Sequence, residues 1–193
     1  MGRRELYARG VGQDTPLDRA VWTDADYETM GWHDVAIHGI AFEDDGASRL
    51  LLDLDYIVEW LCPVPPSKSL AFLVTPATLI FENVWGLEGA MRAASAYQRV
   101  LLLIDSLKVS TPSAEQMKAS TSTAGGHDFA SGFPNTGDLR AWEISGQNFE
   151  LTFLADGYHQ HFRAHPINVT RGQRLTSAQR GGISFAEPAE LPQ

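Results

Sequence analysis

The sequence predicts a β-rich α+β fold, an antiparallel curved sheet or sandwich with one or two short helices, and three stretches carry that expectation. The first is Arg49 to Trp60. Leu50, Leu52, Leu54, Tyr56, Val58 and Trp60 share one parity, while Asp53, Asp55 and Glu59 share the other with Leu51 and Ile57. Successive side chains of a strand point to opposite faces, so the pattern reads as a core face and an acidic face wetted by solvent. The second is Asn148 to His165, two alternating runs separated by Asp156-Gly157, which outlines a two-residue type I′ hairpin. The third is Ser69 to Val84, where Leu70, Phe72 and Val74 alternate against Ala71 and Leu73, apolar on both faces as in strands covered on both sides.

Composition sets the scale of the molecule. The chain has 193 residues, 44% hydrophobic and 20% charged, enough apolar surface for one core. We expect a single domain over residues 15–185, between a flexible arm at 1–14 and a flexible tail at 186–193. The single cysteine, Cys62, excludes an intramolecular disulfide and a multi-cysteine zinc site, which favours a reducing, cytoplasmic compartment. No run of about 18 apolar residues suggests a membrane span, and no apolar segment follows Arg3-Arg4 as in a signal peptide. A net charge of −9 disfavours nucleic acid, whose phosphates call for clustered Lys and Arg. It suits a basic protein partner, and it also simply keeps a protein soluble.

Taken in order, Thr23 reads as the N-cap of a short helix, with Asp24 and Asp26 well placed in its first turn and Gly31 as its end. Trp32 to Phe42 reads as a strand in which Gly39 interrupts the alternation between Ile37 and Ile40 as a β-bulge does. Glu43-Asp44-Asp45-Gly46 then turns the chain into Arg49–Trp60, making an antiparallel hairpin. Cys62-Pro63-Val64-Pro65-Pro66 removes ladder donors and ends the strand. Ser69–Thr75 and Ala77–Val84 follow as two central strands meeting at Pro76. Leu87 to Leu107 is expected to form a short helix, on the propensity of Glu88 to Ala96, and then an aliphatic strand. Residues 110–138 are rich in Ser, Thr, Gly and Ala without periodicity, which marks a disordered insertion or a lid carrying His127, Asp128 and Phe129. In the hairpin that follows, the Asp156-Gly157 turn sets Phe153 against Gln160, Leu151 against Phe162 and Glu150 against Arg163. Ile167 to Ser177 adds one more strand, and the chain after Gly182 runs out extended.

Two constellations are candidates for chemistry. Asp53 and Asp55 stand about 6.5–7 Å apart on one strand face, a spacing that suits paired acid and base work or a hard cation, and equally a solvated acidic face. With Glu59 they form the candidate binding surface. His159, His161 and His165, with Arg163 among them, share the outward face of the hairpin and are the candidate metal ligands, since a His-x-His pair on a strand points both imidazoles one way. The plain alternative is a polar exterior. His33 and Asp34 are adjacent on an expected strand and so point apart. Gly182-Ile183-Ser184-Phe185-Ala186 resembles a nucleophile elbow only superficially, because no helix follows it. Phosphate-binding loops, dinucleotide fingerprints and zinc-finger spacings are absent from the sequence.

The run Gly31 to Leu87, through Trp32-His33-Asp34, Leu52-Asp53-Leu54-Asp55-Tyr56-Ile57 and Thr75-Pro76-Ala77-Thr78-Leu79-Ile80-Phe81-Glu82-Asn83-Val84, resembles small uncharacterised bacterial domains, some of them similar to immunity proteins of toxin systems. The resemblance implies a binding protein and brings no catalytic residue with it. The expectation is therefore a non-catalytic, immunity-like interaction domain whose acidic face meets a basic partner. The alternatives are a small-molecule or metal-binding β-domain, which would admit an unrecognised enzyme, and a homo-oligomer joined through edge strands.

Overall fold

The computed structural model describes residues 17–44, 47–63, 66, 68–92, 102–117, 139–170 and 172–191. Its strands are β1 (Val21–Thr23), β2 (Val35–Asp44), β3 (Ser48–Leu61), β4 (Ala71–Glu82), β5 (Trp85–Met91), β6 (Leu102–Ser110), β7 (Arg140–Gly146), β8 (Phe149–Ala155), β9 (Gly157–Phe162) and β10 (Ile167–Val169). They form one sheet in the order β1-β9-β4-β3-β2-β6-β7-β8-β5, with β10 also on β4. The pairings are all antiparallel. Helix is confined, among the described residues, to the 3₁₀ segment Asp24–Thr29, a turn at 114–117 and the short helix Ser177–Arg180. This is the curved, β-rich architecture that the alternating pattern predicts.

The sheet curls until its two halves face each other. Phe81 of β4 and Phe153 of β8 stand 4.8 Å apart, ring centre to ring centre, although four strands lie between them in the sheet. Trp142 of β7 also meets Phe81 edge-on, at 5.2 Å. Between the halves lie Leu50, Leu52, Leu54 and Tyr56 of β3, Ala77 and Leu79 of β4, Ile144 of β7, Phe149 and Leu151 of β8, and Tyr158 and Phe162 of β9. The core face expected of β3 is thus the inner face of the curl. Thr23 caps the 3₁₀ segment as expected, its side chain and that of Asp26 forming a capping box.

Of the four register shifts in the described ladders, the one between Trp85 and Glu88 lies in the outer strand β5, and three re-aim side chains of the inner strands that strict alternation would place elsewhere. One lies between Ile37 and Gly39, where Gly39 leads us to expect a bulge; it keeps both Ile37 and Ile40 against the core and turns His38 to the outer face. A second lies between Ile57 and Glu59 and carries Trp60 to the outer face, where it packs with Ile57, Phe72 and Val74. The third, between Ile104 and Ser106 of β6, leaves Asp105 as the extra, exposed residue.

Several expectations give way. Asp156-Gly157 is not a hairpin turn: β8 pairs with β7 and β5, and β9 with β4 and β1. Neither residue takes the positive φ that a type I′ turn demands. The Asp156 N–H instead donates to the Glu82 carbonyl at 3.0 Å and the chain crosses between the two halves. Each strand thereby finds both its ladder partners outside the pair. Phe153 sits opposite Trp142, Gln160 opposite Leu79 and Leu151 opposite Ile144, so the expected Glu150–Arg163 pair does not form. Pro76 does not divide two strands, because β4 runs through it. Its carbonyl accepts from Arg163 N on the side where β9 has ended and β10 has not begun, so the missing donor falls in a gap in the ladder. Leu87–Met91, expected to be helical, is the outer strand β5. The rest of that helix, the arm at 1–14, the turn residues Asp45-Gly46 and His127 to Phe129 lie outside the described residues.

Candidate functional site

The outer face of β3 carries the densest set of ionisable groups, and it is dry. Asp53 and Asp55 are both 0% exposed, so the acidic face expected to be wetted is a buried ion-pair network. Asp53 Oδ1 accepts from Arg163 Nη2 at 2.6 Å and Arg180 Nη2 at 2.8 Å, and its Oδ2 accepts from Arg180 Nη1 at 2.9 Å and the Ser184 N–H at 3.2 Å. Asp55 Oδ1 accepts from Arg180 Nε at 3.1 Å, and its Oδ2 from His38 Nε2 at 2.8 Å and the Leu175 N–H at 3.0 Å. Arg163 also donates to Thr78 Oγ1 at 3.2 Å and to the Ser184 carbonyl. Two carboxylates thus face two guanidiniums with every carboxylate oxygen occupied. A buried pair is tolerated only when it is this fully hydrogen-bonded.

Burial by itself would raise the Asp55 pKa. The His38 hydrogen bond and charge, the Arg180 charge and the Leu175 N–H outweigh it and hold the carboxyl below its usual range. For Arg180 burial likewise disfavours the charge, and Asp53 and Asp55 more than restore it.

The cover over this face is the C-terminal segment. Thr176 caps the helix Ser177–Arg180 and Gly181 ends it in the left-handed region at φ 75°, so one turn suffices to drop Arg180 onto the two aspartates. Beyond it the chain crosses the sheet. Ile183 and Phe185 lie against Gly39, where a Cβ would come within 2.9 and 3.0 Å of their side chains. The Ala186 carbonyl accepts from Thr78 Oγ1 at 2.8 Å, Glu187 bonds Arg49 at 2.7 Å, and the Pro188 carbonyl accepts from His161 Nδ1 at 3.2 Å. The tail expected to be loose from residue 186 is therefore docked, with Leu191 against the core.

The other candidate residues are dispersed. The bulge at Ile57/Glu59 puts half-buried Glu59 opposite Leu73, on the other face from Asp53 and Asp55. His159 and His161 of β9 do point the same way, with rings stacked 6.4 Å apart, but the Nδ1 of His161 is engaged by the tail. His165 lies past the end of β9, and the three do not converge as a ligand set.

Convergence occurs instead at His33, Asp34 and Asp105, whose ligand atoms all lie within 4.8 Å of one another. His33 and Asp34 occupy a turn before β2 rather than a strand, and Asp34 has φ 64°, so the two side chains meet instead of diverging: His33 Nε2 is 3.7 Å from Asp34 Oδ2. Asp105 arrives through the bulge of β6. A carbonyl only accepts, so the 3.2 Å contact of His33 Nδ1 with the Asp105 carbonyl puts a proton on Nδ1, and in the neutral ring the lone pair is then on Nε2. Gln173 Nε2 donates to Asp34 Oδ2 at 3.0 Å, and the Trp60 ring stacks on the imidazole at 6.3 Å.

Sequence reading missed Arg180, Arg163 and His38 as partners of the aspartates. One signal was present: Leu51 and Ile57 flank Asp53 and Asp55 on the same face, and a wetted face has no use for both. Comparison with protein-family models, with curated proteins and with solved structures finds no match to this chain, so the functional reading rests on the molecule itself.

Proposed function

We propose that the protein is a protein-interaction domain of immunity-like type that engages a basic partner, with its recognition surface at the β2–β3 end of the sheet. The observation that carries this reading is Phe42, 65% exposed at a sheet end whose opposite face carries a cluster of carboxylates. Glu43, Arg49 and Glu82 are cross-strand neighbours on β2, β3 and β4, and Glu187 reaches the same guanidinium from the tail. Three carboxylates thus surround one arginine, and Asp44 at the end of β2 accepts from Ser48. An exposed aromatic ring at an acidic sheet end is the complement of a basic partner that offers an apolar pocket, where the ring supplies affinity and the charges speed and select the encounter. Asp53 and Asp55 drop out of the contact set because Arg163 and Arg180 already hold them. The bacterial, immunity-like resemblance of residues 31–87 supports the same class of function.

The test is affinity isolation from the native host at low salt, with the wild type beside a Phe42→Ser, Glu43→Lys variant. A stoichiometric basic protein should be retained by the wild type and released by the variant and by raised salt. If the variant retains the same proteins as the wild type, this surface is not the recognition surface.

A further inference from the structure

We propose that His33, Asp34 and Asp105 bind a divalent transition ion of the Zn²⁺, Co²⁺ or Mn²⁺ class, at a site that nothing in the interaction reading requires. One imidazole and two carboxylates from two separate parts of the chain present donors within 4.8 Å of one another. Two donors on one such ion, each about 2.1 Å from it, stand about 3–3.4 Å apart. The 3.7 Å between His33 Nε2 and Asp34 Oδ2 closes to that by a small side-chain rotation.

The surroundings are those of a metal ligand rather than of an ordinary ion pair. The Nδ1–H bond to the Asp105 carbonyl fixes the tautomer that leaves Nε2 as a donor to metal, which is the usual way a ligating histidine is oriented. Stacking on Trp60 restrains the ring, and Gln173 holds Asp34 by Oδ2, the oxygen 3.7 Å from His33 Nε2. Among the described residues no Lys or Arg pairs with Asp34 or Asp105, so two carboxylates sit together with only an imidazole between them. A cation there relieves their repulsion. The mixed nitrogen and oxygen set selects a transition ion over Ca²⁺ or Mg²⁺, and three protein ligands leave positions for water.

The experiment is Co²⁺ titration of the chelator-treated, desalted full chain, followed by calorimetry and visible absorption. One ion per chain is expected, with affinity lowered at least tenfold in His33→Ala and in Asp105→Asn. Gln173→Ala, which removes only the hydrogen bond that orients Asp34 Oδ2, should weaken binding about tenfold. His159→Ala with His161→Ala should leave the site intact. Absence of a single-ion isotherm in the wild type overturns the proposal. So does an isotherm unchanged by His33→Ala, or one abolished by the β9 histidine pair instead. Circular dichroism of each variant verifies the fold, and these side chains are exposed enough for replacement to leave it standing.

Discussion

Arg180 is the residue on which the outer face depends. It is 3% exposed and bonds both aspartates, and its removal leaves two buried carboxylates with the Arg163 guanidinium alone of the two that faced them. Breaking such a network by taking one partner costs about 3–5 kcal/mol. Arg180→Ala should therefore lower the denaturant midpoint by that equivalent in an equilibrium unfolding curve, whereas the exposed Lys108–Glu143 pair should be removable with little change. Asp55 adds a pH dependence. Its folded pKa lies below the unfolded value of about 3.9, so its contribution to stability is present above that pH and is lost as pH falls through the folded value. His38→Asn takes away the charge and hydrogen bond of the imidazole, so acid unfolding followed by circular dichroism should begin at a higher pH than in the wild type.

At the scale of the element, the bulges decide which side chains meet. A strand with period two can be read from sequence, but one extra residue inverts every position after it. Gly39 betrays its bulge because a glycine interrupts Ile37 and Ile40. The shifts at Ile57/Glu59 and Ile104/Ser106 carry no such mark, and with them Trp60 and Asp105 went unread. Gly146 shows how tight the third bulge is: a Cβ there would lie 2.0 Å from the Leu103 carbonyl oxygen and 2.5 Å from the Phe149 ring. Backbone cannot yield as a side-chain tip can, so Gly146→Ala should cost about 1–3 kcal/mol or more. Gly31→Ala, with nothing within 4 Å of its Cβ, serves as the control in the same thermal melt.

For the molecule as a whole, the sheet has two apolar sides to cover. The curl covers one, and the segment 173–191 covers the other over β2, β3, β4 and β9. A chain ended after residue 172 would expose Asp53, Asp55 and the patch formed by Ile57, Phe72 and Val74. It should lose cooperative thermal unfolding, and amide exchange should speed first in β3 and β4. An unchanged melt would make the segment a passenger instead. Among the described residues no helix is long and apolar enough to cross a membrane.

By itself the sequence determined the β-rich class, the β2–β3 hairpin, the N-cap at Thr23, the central place of β4 and the inner face of β3. These follow from alternation, turn residues and local hydrogen bonding, which act within a few residues. Only the tertiary structure decided that β8 and β9 part at Asp156-Gly157, that the acidic face of β3 is buried and that His33, Asp34 and Asp105 converge. In each case the deciding partner is distant in sequence: β4 for β9, Arg180 for the aspartates, and β6 for the turn before β2. Alternation shows that a face is polar, while what covers that face is settled by a segment more than a hundred residues away.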